Sequence, residues 1–200
     1  MSVYLFQLIE GSILKKSATG CRGMQQRAAV ETFVHDLCNL YVPYFNVERN
    51  SRIGKTDLEF SAVYTRRDER YLITKKAKVW GVENQQVVFV SAPEQAVTIT
   101  YVEQMIKDMQ SSMKDYLHEH RDHMSTVFTG VIVTDQPISK KVIHLAERFR
   151  KVKFLRFGAH GWAELNIAIL DLPEKRTYIH KKGRPFVEPL NTFLKGEKKE

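Results

Sequence analysis

Alternation of apolar and polar positions is sharpest between Asp57 and Lys78, in the stretch DLEFSAVYTRRDERYLITKKAK. Leu58, Phe60, Ala62 and Tyr64 alternate with Asp57, Glu59, Ser61 and Thr65, the period of two that marks a half-buried strand. Leu72, Thr74, Lys76, Lys78 and Trp80 alternate in the same way with Tyr71, Ile73, Lys75, Ala77 and Val79. Arg66-Arg67-Asp68-Glu69 between the two runs reads as the turn of a hairpin. With a loop of two or four residues, Asp57 is expected opposite Lys78, Glu59 opposite Lys76 and Ser61 opposite Thr74, all on one side of the sheet.

Around this hairpin the period changes to that of helices. Val30, Phe33, Val34, Leu37, Leu40 and Tyr41 predict an amphipathic helix over 25–41, stopped by Pro43. Val102, Met105, Ile106, Met109, Met113, Tyr116 and Leu117 predict a second over 100–120, its methionines read as core. A third runs from a Ser139 cap to about Arg150. Tyr44 to Ile53 leads into the hairpin. A turn after Trp80-Gly81 precedes a short apolar strand over 85–91, whose unbroken run Val87-Val88-Phe89-Val90 fits a central strand covered on both faces. Further strands are expected over 127–134, 152–157, 162–172 and 176–180. Residues 1–24 define no clear element, and 185–200 read as an extended or frayed tail. The whole is expected to form a single domain, 1–200, of α/β class with a central mixed sheet flanked by helices.

Composition adds bounds rather than an identity. Two hundred residues, 43% hydrophobic and 27% charged, suffice to bury a core without metal or disulfide support. No apolar run approaches the roughly 20 residues of a membrane helix, and the first residues carry no secretory pattern. Cys21 and Cys38 suggest neither a disulfide framework nor a zinc knuckle, so a reducing cytoplasm is the expected setting. The net charge of +8 leaves room for nucleic acid or another anionic partner, although the basic residues are spread along the chain. Oligomeric state is not legible.

Several residue groups carry candidate chemistry. His118, His120, Asp122 and His123 cluster at helical spacing, but Arg121 among them disfavours a cation, and a solvated helix end accounts for them. His160, between glycines, suits a turn that lets a ligand approach, with Lys75 and Lys78 as further binding residues. A pocket around Trp80, His160 and Trp162 has no motif behind it. The acids and lysines of the hairpin offer two readings: a solvent-facing ladder of ion pairs, or a site.

The order helix, three strands, helix, strand resembles the restriction-endonuclease-like, or PD-(D/E)xK, superfamily of nucleases. That resemblance implies an Asp near one strand of the first hairpin and an acid-x-Lys on the next. Gly54-Lys55-Thr56-Asp57 looks like the Asp position, and Ile73-Thr74-Lys75-Lys76 looks like the second half, with Thr74 where the second acid belongs. A threonine hydroxyl is a poor ligand for a hard cation, so the motif is degenerate. The chain is also similar to uncharacterised bacterial domain-of-unknown-function proteins of this length, which imply no activity. The expectation is therefore a binding or accessory protein without a cofactor. The alternative is a Mg²⁺-dependent phosphodiesterase using Asp57 and Glu59 as ligands and Lys76 at the water, with Glu48 or Glu83 as an extra ligand.

Overall fold

The computed structural model describes residues 27–71, 78–117, 123–155 and 161–196, with the backbone alone at 66–71, 78–83 and 123–124. Helix α1 occupies 27–41 and is followed by β1 (Asn46–Arg49), β2 (Arg52–Ile53), β3 (Thr56–Asp57), β4 (Phe60–Tyr71) and β5 (Lys78–Ser91). Next come α2 (Ile99–Tyr116), β6 (His123–Thr134), α3 (Lys140–Arg148), β7 (Arg150–Phe154), β8 (Trp162–Asp171) and β9 (Arg176–Ile179). A 3₁₀ turn (Arg184–Val187) and α4 (Glu188–Lys195) end the described chain. Among the described residues seven strands form one mixed sheet in the order β1-β4-β5-β6-β8-β7, with β9 also on β8. β1, β4 and β5 are antiparallel neighbours, whereas β5, β6 and β8 run parallel. Parallel neighbours need a crossover, and α2 and α3 supply it.

Both faces of the sheet are covered, as the continuous apolar run of β5 requires. Val88 and Val90 pack with Val34 and Leu37 of α1 and Leu190 of α4. Val87 and Phe89 pack with Met105 and Met109 of α2 and Val142 of α3. Met105 and Met109 are fully buried, so the methionine stripe is core. Ser139 caps α3 as expected, accepting from the Val142 N–H.

The hairpin differs from its sequence reading in register. β4 and β5 pair from Phe60 opposite Val90 to Tyr71 opposite Lys78. Arg66 to Glu69 therefore lie within a strand, opposite Asn84 to Gly81, rather than forming the turn. Ser61 stands opposite Phe89 rather than Thr74, and the Glu59 N–H donates to the Val90 carbonyl, while Lys76, expected opposite Glu59, lies outside the described residues. Trp80-Gly81 is likewise inside β5 rather than at a turn, and the separate strand expected over 85–91 is its second half. Lys78 heads β5 far from Asp57, which pairs with Arg52 instead.

The end of the chain differs too. Residues 185–195, expected as a tail, form the 3₁₀ turn and α4, with Val187, Leu190 and Leu194 buried. Pro189 sits in the first turn, where its missing N–H is harmless, and Gly196 closes the helix with a φ of +71°.

One polar inlay interrupts the core. Glu164 and Asn166 are buried on β8, and Arg150 grips both Glu164 oxygens at 2.8 and 2.6 Å. The Asn166 amide donates to Glu164 at 3.1 Å. Burial by itself raises the Glu164 carboxyl. The hydrogen bonds from Arg150 and Asn166, with the charge of Arg150 and the nearby His180, outweigh that and hold it below the ordinary glutamate range. A carboxyl depressed in the folded state stabilises above its unfolded value near 4.5, and that contribution is lost as pH falls through the lower folded value.

Two predictions follow from the packing. Leu190→Ala is expected to cost about 2–5 kcal/mol in urea unfolding, as a core leucine does; a change near zero would return 185–195 to a tail. Glu164→Gln is expected to cost about 1–3 kcal/mol at pH 7. Its unfolding curve should begin to approach that of the wild type as pH drops below about 4.5 and meet it once pH has fallen through the lower folded value of Glu164.

Candidate functional site

Between β1 and β4 the chain makes an excursion that builds a cleft. Asn50, at a φ of +51°, turns it out of β1, and β2 and β3 pair at its tip. Backbone bonds from Asn50 N–H to Glu59 and from Leu58 N–H to Ser51 hold the stem together. The tip leans on α2, placing Ile53 and Leu58 in the same apolar cluster as Val102 and Ile106.

A buried carboxylate fixes this contact. Asp108 of α2 accepts from the Lys55 N–H at 3.0 Å, the Thr56 hydroxyl at 2.8 Å and the Gln104 amide at 2.8 Å. Gly54 makes the approach feasible. Its φ is +53°, and a Cβ there would fall 2.3 Å from the Asp108 Oδ1.

The resulting cleft, of about 540 Å³, opens between this excursion, the start of α1 and the start of α2. Arg27, Lys55, Asp57, Glu59, Ser91, Tyr101 and Gln104 are among its lining residues. It lies at the carboxyl end of β5, the end at which open α/β sheets commonly receive ligands. Asp57 and Glu59, singled out from the sequence, therefore do share one concavity.

Each of these acids is already matched to an arginine. Arg52 approaches Asp57 at 2.5 Å in an exposed cross-strand pair. Arg27 lies 3.7 Å from Glu59 while also donating to the Ala92 carbonyl at 2.9 Å and to Glu31 at 3.1 Å. The Tyr101 hydroxyl and the Ser91 hydroxyl are hydrogen-bonded to each other. Burial pushes the Tyr101 phenol up and the negative charges of Asp57 and Glu59 push it further, against the Ser91 bond, so the proton stays on the ring oxygen at neutral pH. The cleft thus offers carboxylate acceptors, hydroxyl groups and two cations, but no histidine or cysteine among its described lining.

The remaining candidates are dispersed. Glu48 sits on β1 opposite Ser61, and the backbone of Glu83 lies on β5 opposite Arg67. Trp162 begins β8 beside Phe154, while Trp80 is described only in its backbone on β5. Thr74, Lys75, Lys76, His160, His118, His120 and Asp122 lie outside the described residues. Among the described residues no three acids, histidines or cysteines gather as a metal-binding group. What the sequence reading missed is Arg27, Ser91, Tyr101 and Gln104. Their signals were slight, because a tyrosine and a glutamine in the first turns of a helix are ordinary surface residues until a second element covers them.

Asp108→Ala is expected to lower stability by about 2–3 kcal/mol, because it leaves the Lys55 N–H and Thr56 hydroxyl without their acceptor. In hydrogen exchange the amides of 50–59 should lose protection before those of β5. Uniform loss across the sheet would show that Asp108 does not act on the excursion.

A family model described as "Domain of unknown function (DUF8052)" matches residues 29–192, and the chain belongs to that family. No curated protein and no solved structure matches it.

Proposed function

For this member of the DUF8052 family we propose a non-enzymatic binding role, exercised in the cytoplasm, with the cleft beside Asp57 and Glu59 as the ligand site. The ligand class that suits it is a small polar molecule presenting a cationic or hydroxyl group to Glu59 and Tyr101. The carrying observation is that both candidate acids enter the cleft already matched to Arg52 and Arg27. Carboxylates so matched suit hydrogen bonding to a neutral or zwitterionic ligand better than holding a bare divalent cation. The free, buried thiol of Cys38 is in keeping with a reducing compartment.

A restriction-endonuclease-like layout with degenerate catalytic positions is part of this reading. Supporting it is the order α1, the antiparallel run β1-β4-β5, then α2 and the parallel strand β6. Asp57 stands just ahead of β4. With Phe60 opposite Val90, the neighbouring strand carries Phe89, Val90 and Ser91 there, with neither acid nor lysine. The alternative, Mg²⁺-dependent phosphodiester hydrolysis by Asp57, Glu59 and Lys76, fits the described residues poorly. Mg²⁺ wants several oxygen ligands in near-octahedral array, and although Glu94 also lines the cleft, the described acids do not gather into a group of three that could hold a metal.

The test pairs an activity assay with a binding assay. Single- and double-stranded DNA and RNA incubated with Mg²⁺ or Mn²⁺ are expected to remain intact. Cleavage abolished by Asp57→Ala would replace this reading with the enzymatic one. Titration with free amino acids, polyamines and nucleosides, followed by amide NMR, is expected to move the signals of Ser91, Tyr101 and Gln104 for one class. That response should be lost in Glu59→Ala. Silence from the cleft across all three classes would count against the ligand class named.

A further inference from the structure

At the opposite flank of the sheet, a second depression of about 300 Å³ is lined by Glu147 and Arg148 at the end of α3, Ile179 and His180 at the end of β9, and Lys181 and Arg184 beyond it. Three permanent cations and a histidine thus surround one concavity against a single carboxylate. We propose that this corner is a phosphate-binding site, taking a phosphomonoester or a nucleic-acid phosphodiester.

Elsewhere in the fold the described arginine side chains, Arg176 excepted, are engaged by neighbours. Arg27, Arg52 and Arg150 each hold a carboxylate, and Arg49 donates to Asn39. Arg148, Lys181 and Arg184, by contrast, make no ion pair or side-chain hydrogen bond with any described residue. Like charges gathered around one hollow repel each other, and an anion lodged among them turns that cost into attraction. Guanidinium groups suit phosphate in particular, since their fork presents paired N–H donors to two oxygens.

The backbone that carries these groups is set rather than loose. Gly183 N–H donates to the His180 carbonyl at 2.8 Å, and Phe186 N–H to the Gly183 carbonyl at 3.0 Å. The Lys182 N–H donates to His180 Nδ1 at 3.3 Å. Gly183 presses on the buried Asn166, where a Cβ would stand 2.9 Å from the Asn166 Oδ1. The turn from His180 to Arg184 is therefore seated on the Arg150–Glu164–Asn166 inlay, and its cations are presented from a fixed base. The site is independent of the cleft at Asp57, being built from other elements.

The test uses the full chain with two probes, inorganic phosphate by calorimetry and a short single-stranded oligonucleotide by fluorescence anisotropy. Arg148→Ala/Arg184→Ala is expected to weaken whichever probe binds by tenfold or more. For the oligonucleotide it should also reduce the salt dependence by about one phosphate contact per arginine removed. Lys140→Ala/Lys141→Ala, which removes equal charge at the far end of α3, is expected to change affinity less than threefold. Binding of phosphate alone assigns the site to a phosphomonoester; binding of the oligonucleotide alone, or of both, assigns it to a diester backbone. Binding of neither, or an equal loss in both double variants, overturns the proposal. Arg184→Gln, with an unfolding curve expected to match the wild type, serves should the double variant be unstable.

Discussion

The contact on which the candidate cleft depends is the Asp108 carboxylate buried under the β2–β3 tip. A lone ionised carboxyl in that position would be strongly unfavourable, and three donors converging on it make it tolerable. Two of those donors come from the excursion and one from α2 itself, so the charge is satisfied only when the two elements meet. Gly54 is the steric condition for that meeting, and Asp108 is the electrostatic one. The apolar residues Ile53 and Leu58 add burial beneath it. Without this junction the segment carrying Asp57 and Glu59 would have no fixed relation to Tyr101 and Gln104, and the cleft would lose a wall.

Most of the architecture was legible because burial leaves a periodic trace. The stripes of α1 and α2, the Ser139 cap and the apolar runs of β5, β6 and β8 each state which face is covered. Register was less legible. A strand alternates with period two whichever partner it meets, so the pattern over 57–71 fits a turn at 66–69 and the observed continuous strand equally well. The charges of Arg66 to Glu69 look like a turn only on the premise that strands carry apolar residues throughout. The small β2–β3 tip escaped because two-residue strands have no period to read. Helix α4 escaped because eight residues carry barely two turns of pattern, although Pro189 and Gly196 marked its ends.

The register also changes what the candidate site means. The acids were expected within the first arm of the hairpin, whereas Asp57 belongs to β3 and Glu59 precedes β4, and their partners differ as well. Lys78, expected across from Asp57, heads β5 at the far end of the observed ladder, while the immediate neighbour of Glu59 is Val90. Arginines from α1 and β2 take the place that lysines were expected to hold. The acid–base pairing anticipated from composition is thus present with different members. It ties three elements together at one end of the sheet rather than two strands along their length.

Charge in this fold falls into two kinds, and the distinction bears on function more than the net value does. Arg27 and Arg150 are partly buried and sit against acids that the same fold buries or half-buries, so their charge is spent internally. Such groups contribute little to the field outside, since each is neutralised within a few ångströms. Arg148, Lys181 and Arg184 stand where α3 and β9 end, with Glu147 alone among them. A partner of opposite sign therefore meets a local excess there that the composition, averaged over the chain, conceals. The cleft at Asp57 has the reverse character, with acids outnumbering cations in a lining that includes Glu94. The two concavities therefore differ in kind: Asp57 and Glu59 are matched to arginines at one, whereas the cations gathered at the other are matched by no described carboxylate.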